Sequence, residues 1–193
     1  MKSADKHRKI IRAATKVFAK KGFFNARISD IAKEAKVADG TIYLYFKNKF
    51  DILISVFEQE IGKLIENILL LLENETDPSA QLEIFIQRHL EEMKKNRNLA
   101  EVIHIELRQT NKLIRDYRKN KFSEYLDIIA KIILQGQNEG KFRQDINPDI
   151  AKLMLFGTLD EISRLWGPGS EEKVTVEDIS RQITAIFKHG MLH

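Results

Sequence analysis

Apolar residues recur at helical spacing along almost the whole chain, and that spacing predicts helices from end to end. Ile10, Ile11, Ala14, Val17 and Phe18 mark a first helix over about 5–21, stopped by Gly22, with Phe23 and Phe24 as plugs behind it. Ile28, Ile31, Ala32 and Ala35 make a short second stripe. Lys36 and Val37 form a tight turn, and a further short helix runs from about Ala38 to Tyr45 with Ile42 and Phe46 on its inward side. Asn48 can cap a long helix over about 49–72, roughly 35 Å at the helical rise. Asp77-Pro78 opens a helix to about Lys95 that carries Leu82, Phe85, Ile86, His89, Leu90 and Met93. A short helix over 99–107 and a longer one over 112–138 follow, the latter ended by Gly136 to Gly140. Asn147-Pro148 starts a helix through Leu153, Met154, Phe156, Ile162, Leu165 and Trp166, and Thr175 starts the last, with Val176, Ile179, Ile183, Ile186 and Phe187. The expected chain is all-α with nine helices: a three-helix head over 1–48 and a helical body over 49–193.

Composition narrows the function classes. The chain has no cysteine, so neither a disulfide framework nor a thiolate metal site is open to it. Its N-terminus is charged almost from the first residue, and the longest apolar cluster, Ile68 to Leu72, is far too short to span a bilayer. A soluble, cytoplasmic protein is expected. The net charge of +4 hides a split: residues 1–50 hold 13 Lys/Arg against four acids, net +9, and the remaining 143 residues are net −5.

Periodicity alone leaves the stretch from Ile28 to Phe46 open between an ordinary αα-hairpin and a DNA-binding helix-turn-helix. The basic head on a mildly acidic body favours the second, because phosphate neutralisation concentrates cations at one end of a chain. The outward side of the second helix carries Asp39, Gly40, Thr41, Tyr43 and Tyr45, short or hydrogen-bonding groups that suit close entry into a major groove.

The head resembles the TetR-type repressors. Ile31, Ala32, Ala35, Val37, Gly40, Thr41, Tyr43, Tyr45, Phe46, Lys49 and Leu53 fall on that family's pattern, which covers about residues 5–55. Lys36 stands where glycine is usual, Ala38 where serine or threonine is usual, and Arg27 where threonine is common. The resemblance implies DNA contacts from Arg27, Ala38, Asp39, Gly40, Thr41, Tyr43, Tyr45, Lys47 and Lys49, with Thr41 and Tyr43 reading sequence and most of the others positioning on phosphates. It also implies a homodimer, through the last two helices, on a palindromic operator. Three runs, VADGTIYLYFKNKFDILISVF, NLAEVIHIELRQTN and MLFGTLDEISRLW, are similar to the FadR-type members, acyl-CoA-responsive repressors of fatty-acid degradation genes in bacteria. The effector this implies is a long-chain acyl-CoA, and the chain is then no enzyme.

The body itself says less. Phe85, Ile86, His89, Leu90, Val102, Ile103, Ile129, Ile133, Met154, Phe156 and Trp166 could line an acyl tunnel or simply be core. Arg108, Asn111 and Arg115 could hold a coenzyme A moiety, or belong to a solvated cationic face. The five histidines show no metal-ligand spacing, Gly136 and Gly140 form no phosphate loop, and Asp160 and Glu161 point about 100° apart on a helix. Three alternatives stay open: a TetR-like repressor sensing cationic drugs for an efflux pump, an enzyme acting on acyl-CoA, and a plain lipid carrier. The long helix from about 49 is the natural lever between head and body.

Overall fold

The computed structural model describes residues 3–98, 100, 121–166 and 174–192. Eight α-helices lie wholly within them: α1 (Ser3–Asn25), α2 (Ile28–Ala35), α3 (Asp39–Tyr43), α4 (Lys49–Leu72), α5 (Pro78–Lys95), α6 (Lys121–Asn138), α7 (Pro148–Ser163) and α8 (Val176–Met191). Apart from Ala100, the helix expected over 99–107 falls outside the described residues, as does the start of the one expected from 112. Among the described residues the one extended pairing is an isolated bridge between Phe142 and Leu192.

Four helix starts, those of α4, α5, α7 and α8, are set by a side chain that the sequence places there. Asn48 Oδ1 accepts from the Asp51 amide at 3.0 Å, Asp77 from Ala80 at 3.2 Å, Asn147 from Asp149 and Ile150 at 2.9 and 3.2 Å, and Thr175 Oγ1 from Asp178 at 3.1 Å. These bonds satisfy amides that a helix leaves open at its N-terminus. Pro78 and Pro148 take first-turn positions, where a missing N–H costs nothing.

Two compact units divide within α4, between Gly62 and Lys63. In the first, α2 packs on α1 and α3, and Ile10, Ala14, Phe18, Phe23, Ile31 and Ile42 form a core at most 1% exposed. Gly22 (φ 71°) breaks α1 as expected, but only Phe23 plugs the core behind it; Phe24 is 62% exposed. The two rings meet edge-on at 5.5 Å, with Phe24 on the solvent side of Phe23. In the second unit α5 packs against α7 and α8. The turn after α6 is closed by Phe142, whose ring lies flat against Gly136, where a Cβ would sit 2.2 Å from Cδ2. Gln137 Nε2 donates to the carbonyls of Arg143 and Ile146 at 2.8 and 2.7 Å, holding the same turn from inside.

Two carboxylates have a measurable role here. Lys21 and the Arg27 amide hold Asp30 below its ordinary value of 3.8, and Lys141 with the Ala80 amide does the same for Asp77. A carboxyl depressed by folding stabilises the native state above its unfolded pKa and loses that contribution as pH falls through the folded pKa. Denaturation midpoints should therefore fall from about pH 4 downward. Asp77→Asn, which keeps a competent helix cap, should flatten this slope for the second unit, as followed by Trp166 fluorescence; an unchanged slope would assign it to other carboxylates.

Candidate functional site

The first unit presents a helix-turn-helix. The Arg27 amide donates to the Asp30 carboxylate at 3.0 Å, and Lys21 pairs with the same carboxylate at 2.7 Å, which fixes the start of α2. The turn requires a left-handed residue, and Lys36 supplies it at φ 53°, ψ 50°. A side chain in that conformation costs about 1 kcal/mol relative to glycine; the turn is closed by the Val37 amide bonding back to the Ala32 carbonyl at 3.0 Å. Ala38 caps α3 through its backbone alone, its carbonyl accepting from Thr41 at 2.9 Å.

Ile42 and Phe46 turn inward from α3, and the His7 ring stacks on Phe46 at 4.9 Å. Arg27, Ala38, Asp39, Gly40, Tyr43 and Lys47 are exposed, while Thr41 and Tyr45 are half-buried. A Cβ on Gly40 would meet nothing within 4 Å, so the helix backbone is bare there. Lys49 behaves differently from the other expected contacts. Its ammonium donates to the carbonyls of Phe23, Phe24 and Ala26 at 2.6, 3.0 and 2.8 Å and lies 4.6 Å over the Phe23 ring. Those three bonds use the three protons of an ammonium, so Lys49 ties the first turn of α4 to the end of α1. Leu44, absent from the expected contacts, is 81% exposed.

The second unit gathers part of the expected ligand set. Phe85, Ile86, Leu90, Ile129 and Ile133 are at most 1% exposed, and His89, Phe156 and Trp166 are buried with them. Met154 is not in this core: it is 62% exposed, since two positions along a helix turn it about 200° from Phe156. Val102, Ile103, Arg108, Asn111 and Arg115 lie outside the described residues. Tyr125 and Phe122, not among the expected residues, complete the core. Tyr125 OH lies 2.6 Å from His89 Nδ1, and Phe156 meets His89 and Phe122 edge-on at 6.0 and 5.0 Å. Burial pushes the Tyr125 phenol well above its ordinary range, so it is neutral at any physiological pH. This is a polar pair in an otherwise oily centre.

On the outside of this unit a groove between α4 and α6 is lined by Leu69, Leu72, Glu124, Asp127, Ile128 and Lys131. Asp127 there pairs with Lys152 at 2.7 Å. Ile150, Leu153 and Met154 on α7 and Ile186 on α8 stand exposed, each more than half, whereas Ile179 and Ile183 of the same α8 face are buried within the chain. Among the described residues no group of His, Asp and Glu is placed to hold a metal, and no helix is long and apolar enough to cross a membrane.

Comparison with known proteins accounts for this arrangement. Residues 10–56 match the family described as bacterial regulatory proteins, tetR family, and residues 57–190 match the YsiA-like protein C-terminal region. The fatty acid metabolism regulator protein of Bacillus subtilis is 35% identical over 186 residues, covering 96% of this chain and 95% of the regulator. A crystal structure of FadR from that organism in complex with stearoyl-CoA superposes with a TM-score of 0.87 at 35% identity, covering 96% of this chain and 99% of that one. The fatty acid degradation regulator FadR of Bacillus halodurans superposes with a TM-score of 0.88 at 34% identity, covering 98% of each. These relatives are transcriptional regulators rather than enzymes. The all-helical fold with a helix-turn-helix at its head, the body match and the end-to-end likeness to FadR have one meaning: this chain belongs to the TetR family, as a FadR-like transcriptional regulator of fatty acid metabolism.

Proposed function

We propose that the protein is a homodimeric repressor that holds a palindromic operator and is released by a long-chain acyl-CoA. The observation that carries this is the likeness of the body, over nearly its whole length, to a regulator solved with stearoyl-CoA bound. The core supports it chemically. Phe85, Ile86, Leu90, Ile129, Ile133 and Phe156 supply apolar surface, and each methylene moved from water onto such surface contributes about 0.8 kcal/mol. The Tyr125–His89 pair is the polar element available to a thioester. Arg108, Asn111 or Arg115 would meet the coenzyme A phosphates. Chain length is thereby selected by the core and the coenzyme A head by the cations.

In the head, Arg27 and Lys47 are exposed cations suited to phosphates, and Thr41 and Tyr43 to bases; Ala38, Asp39 and Gly40 give close approach, and Tyr45 a flanking phosphate contact. The exposed Ile150, Leu153, Met154 and Ile186 would be covered by a second copy as a four-helix bundle of α7 and α8. Release follows from linkage: an effector lowers DNA affinity only as far as it prefers the conformation that DNA does not. A gel shift on the DNA upstream of the protein's own coding sequence should show about 100-fold weaker binding with stearoyl-CoA, and no change with stearate or coenzyme A alone. Release by stearate as readily as by the thioester would sink the acyl-CoA reading. Release by cationic drugs instead would favour an efflux regulator.

A further inference from the structure

We propose that Leu44 is a specificity-determining residue that reads the C5-methyl group of thymine in the major groove. This rests on the DNA-binding reading of the head and adds to it a residue and a base. Leu44 is 81% exposed, the most exposed of the large apolar side chains among the described residues. Leaving such a side chain in water on a small basic head has no stabilising consequence for the fold, so its value lies in what covers it.

Geometry decides what that is. A helix turns about 100° per residue, and Leu44 keeps helical backbone angles at φ −73°, ψ −19°. The direction midway between the buried Ile42 and Phe46 points into the head. On that wheel Leu44 stands about 180° from the core, Gly40 about 140° and Thr41 about 120°, whereas Tyr43 and Tyr45 stand about 80° to either side. The line that faces straight out from α3 and its C-cap is therefore Gly40 and Leu44, one turn apart. Gly40 offers no side chain and no crowding, which lets the helix seat deeply and brings the Leu44 methyls against the floor of the groove. The two tyrosines fall on the flanks, Tyr43 within reach of a base edge and Tyr45 at the level of the sugar-phosphate wall.

The floor of the major groove offers one apolar group, the thymine C5-methyl; the other edges present hydrogen-bond donors and acceptors that a leucine cannot satisfy. A leucine at the centre of the reading face thus favours thymine by burying a methyl and disfavours cytosine by desolvating its amino group without a partner. The neighbours agree with this division of labour. Arg27 and Lys47, outside the wheel, provide charge, and Thr41 beside Leu44 provides the hydroxyl.

The test uses the full-length protein and two duplexes of the same upstream sequence, one made with thymidine and one with deoxyuridine at every thymine, so that only C5-methyl groups differ. Wild type should bind the uracil duplex about fourfold more weakly for each head in contact with a thymine. Leu44→Ala should bind the thymine duplex more weakly by a similar factor, and its own thymine-to-uracil penalty should shrink at least threefold. Leu44→Met should restore most of the wild-type penalty. All variants should melt within a degree or two of the wild type, since the side chain is 81% exposed. An equal uracil penalty in wild type and Leu44→Ala overturns the inference and leaves the DNA-binding reading standing. Failure of the wild type to bind either duplex overturns both.

Discussion

Phe142→Ala should lower the stability of the body by about 3–5 kcal/mol, the range for emptying a fully buried aromatic site. The ring is 0% exposed, lies against Gly136 and anchors the bridge to Leu192, while the neighbouring Arg143 amide donates to the Met191 carbonyl at 2.8 Å. Its loss therefore frees the turn after α6 and the end of α8 together. The reciprocal change is Gly136→Ala. Alanine is better than glycine in a helix by about 1 kcal/mol, but its Cβ would lie 2.2, 2.5 and 2.7 Å from three atoms of the ring. Overpacking of that kind costs about 1–3 kcal/mol, so the variant should be less stable despite its helical preference. Combining the two should recover part of the loss, because the cavity made by one change receives the methyl added by the other. Urea unfolding followed by the single, buried Trp166, at fixed protein concentration, measures all three. Strict additivity would show that ring and glycine do not share one site.

Lys49→Met should destabilise the head by about 2–3 kcal/mol while leaving the salt dependence of DNA binding unchanged. Hydrogen bonds from a charged donor contribute about 1.5–3 kcal/mol each when buried, and the sum is reduced here because the Phe24 carbonyl is solvent-exposed. Methionine keeps the apolar stem but leaves the carbonyls of Phe23, Phe24 and Ala26 without their donor. The contrast is Lys47, exposed two residues earlier. Lys47→Gln should reduce the slope of log affinity against log salt by about 1 for each head, as expected for one lost phosphate contact, with little change in stability. A matching drop in slope for Lys49→Met would return that lysine to the DNA surface.

These residues show where sequence reading reaches and where it stops. Helix starts were legible because a cap is a contact between neighbours: Asn48, Asp77, Asn147 and Thr175 each satisfy an amide two or three positions on. The tight turn at Lys36 was legible through the family pattern, which is dense in the head and has glycine there. What the sequence could not show is direction in space. Lys49 looked like a phosphate ligand because its charge is visible and its carbonyl partners, 23 to 26 residues away, are not. Met154 and Phe156 share an apolar run but not a helix face. Leu44 carries no sign of its place in sequence, because an apolar residue suggests a core until the structure places it opposite one. The His89–Tyr125 pair joins residues 36 apart, and only a distance could reveal it.

The pairing of α5 with α8 bears on how the protein is made. Head contacts are short in sequence, such as Lys16 to Glu34 at 18 residues and Lys49 to Phe23 at 26. Lys188 reaches Glu83 across 105 residues, and α8 leaves the ribosome well after α5. At about 5–20 residues per second, the head can close early in synthesis, while the greasy inner face of α5 waits several seconds for its cover. Nascent chains of this regulator thus pass through an interval with a finished DNA-reading head and an open body, and that interval is where a chaperone would find them.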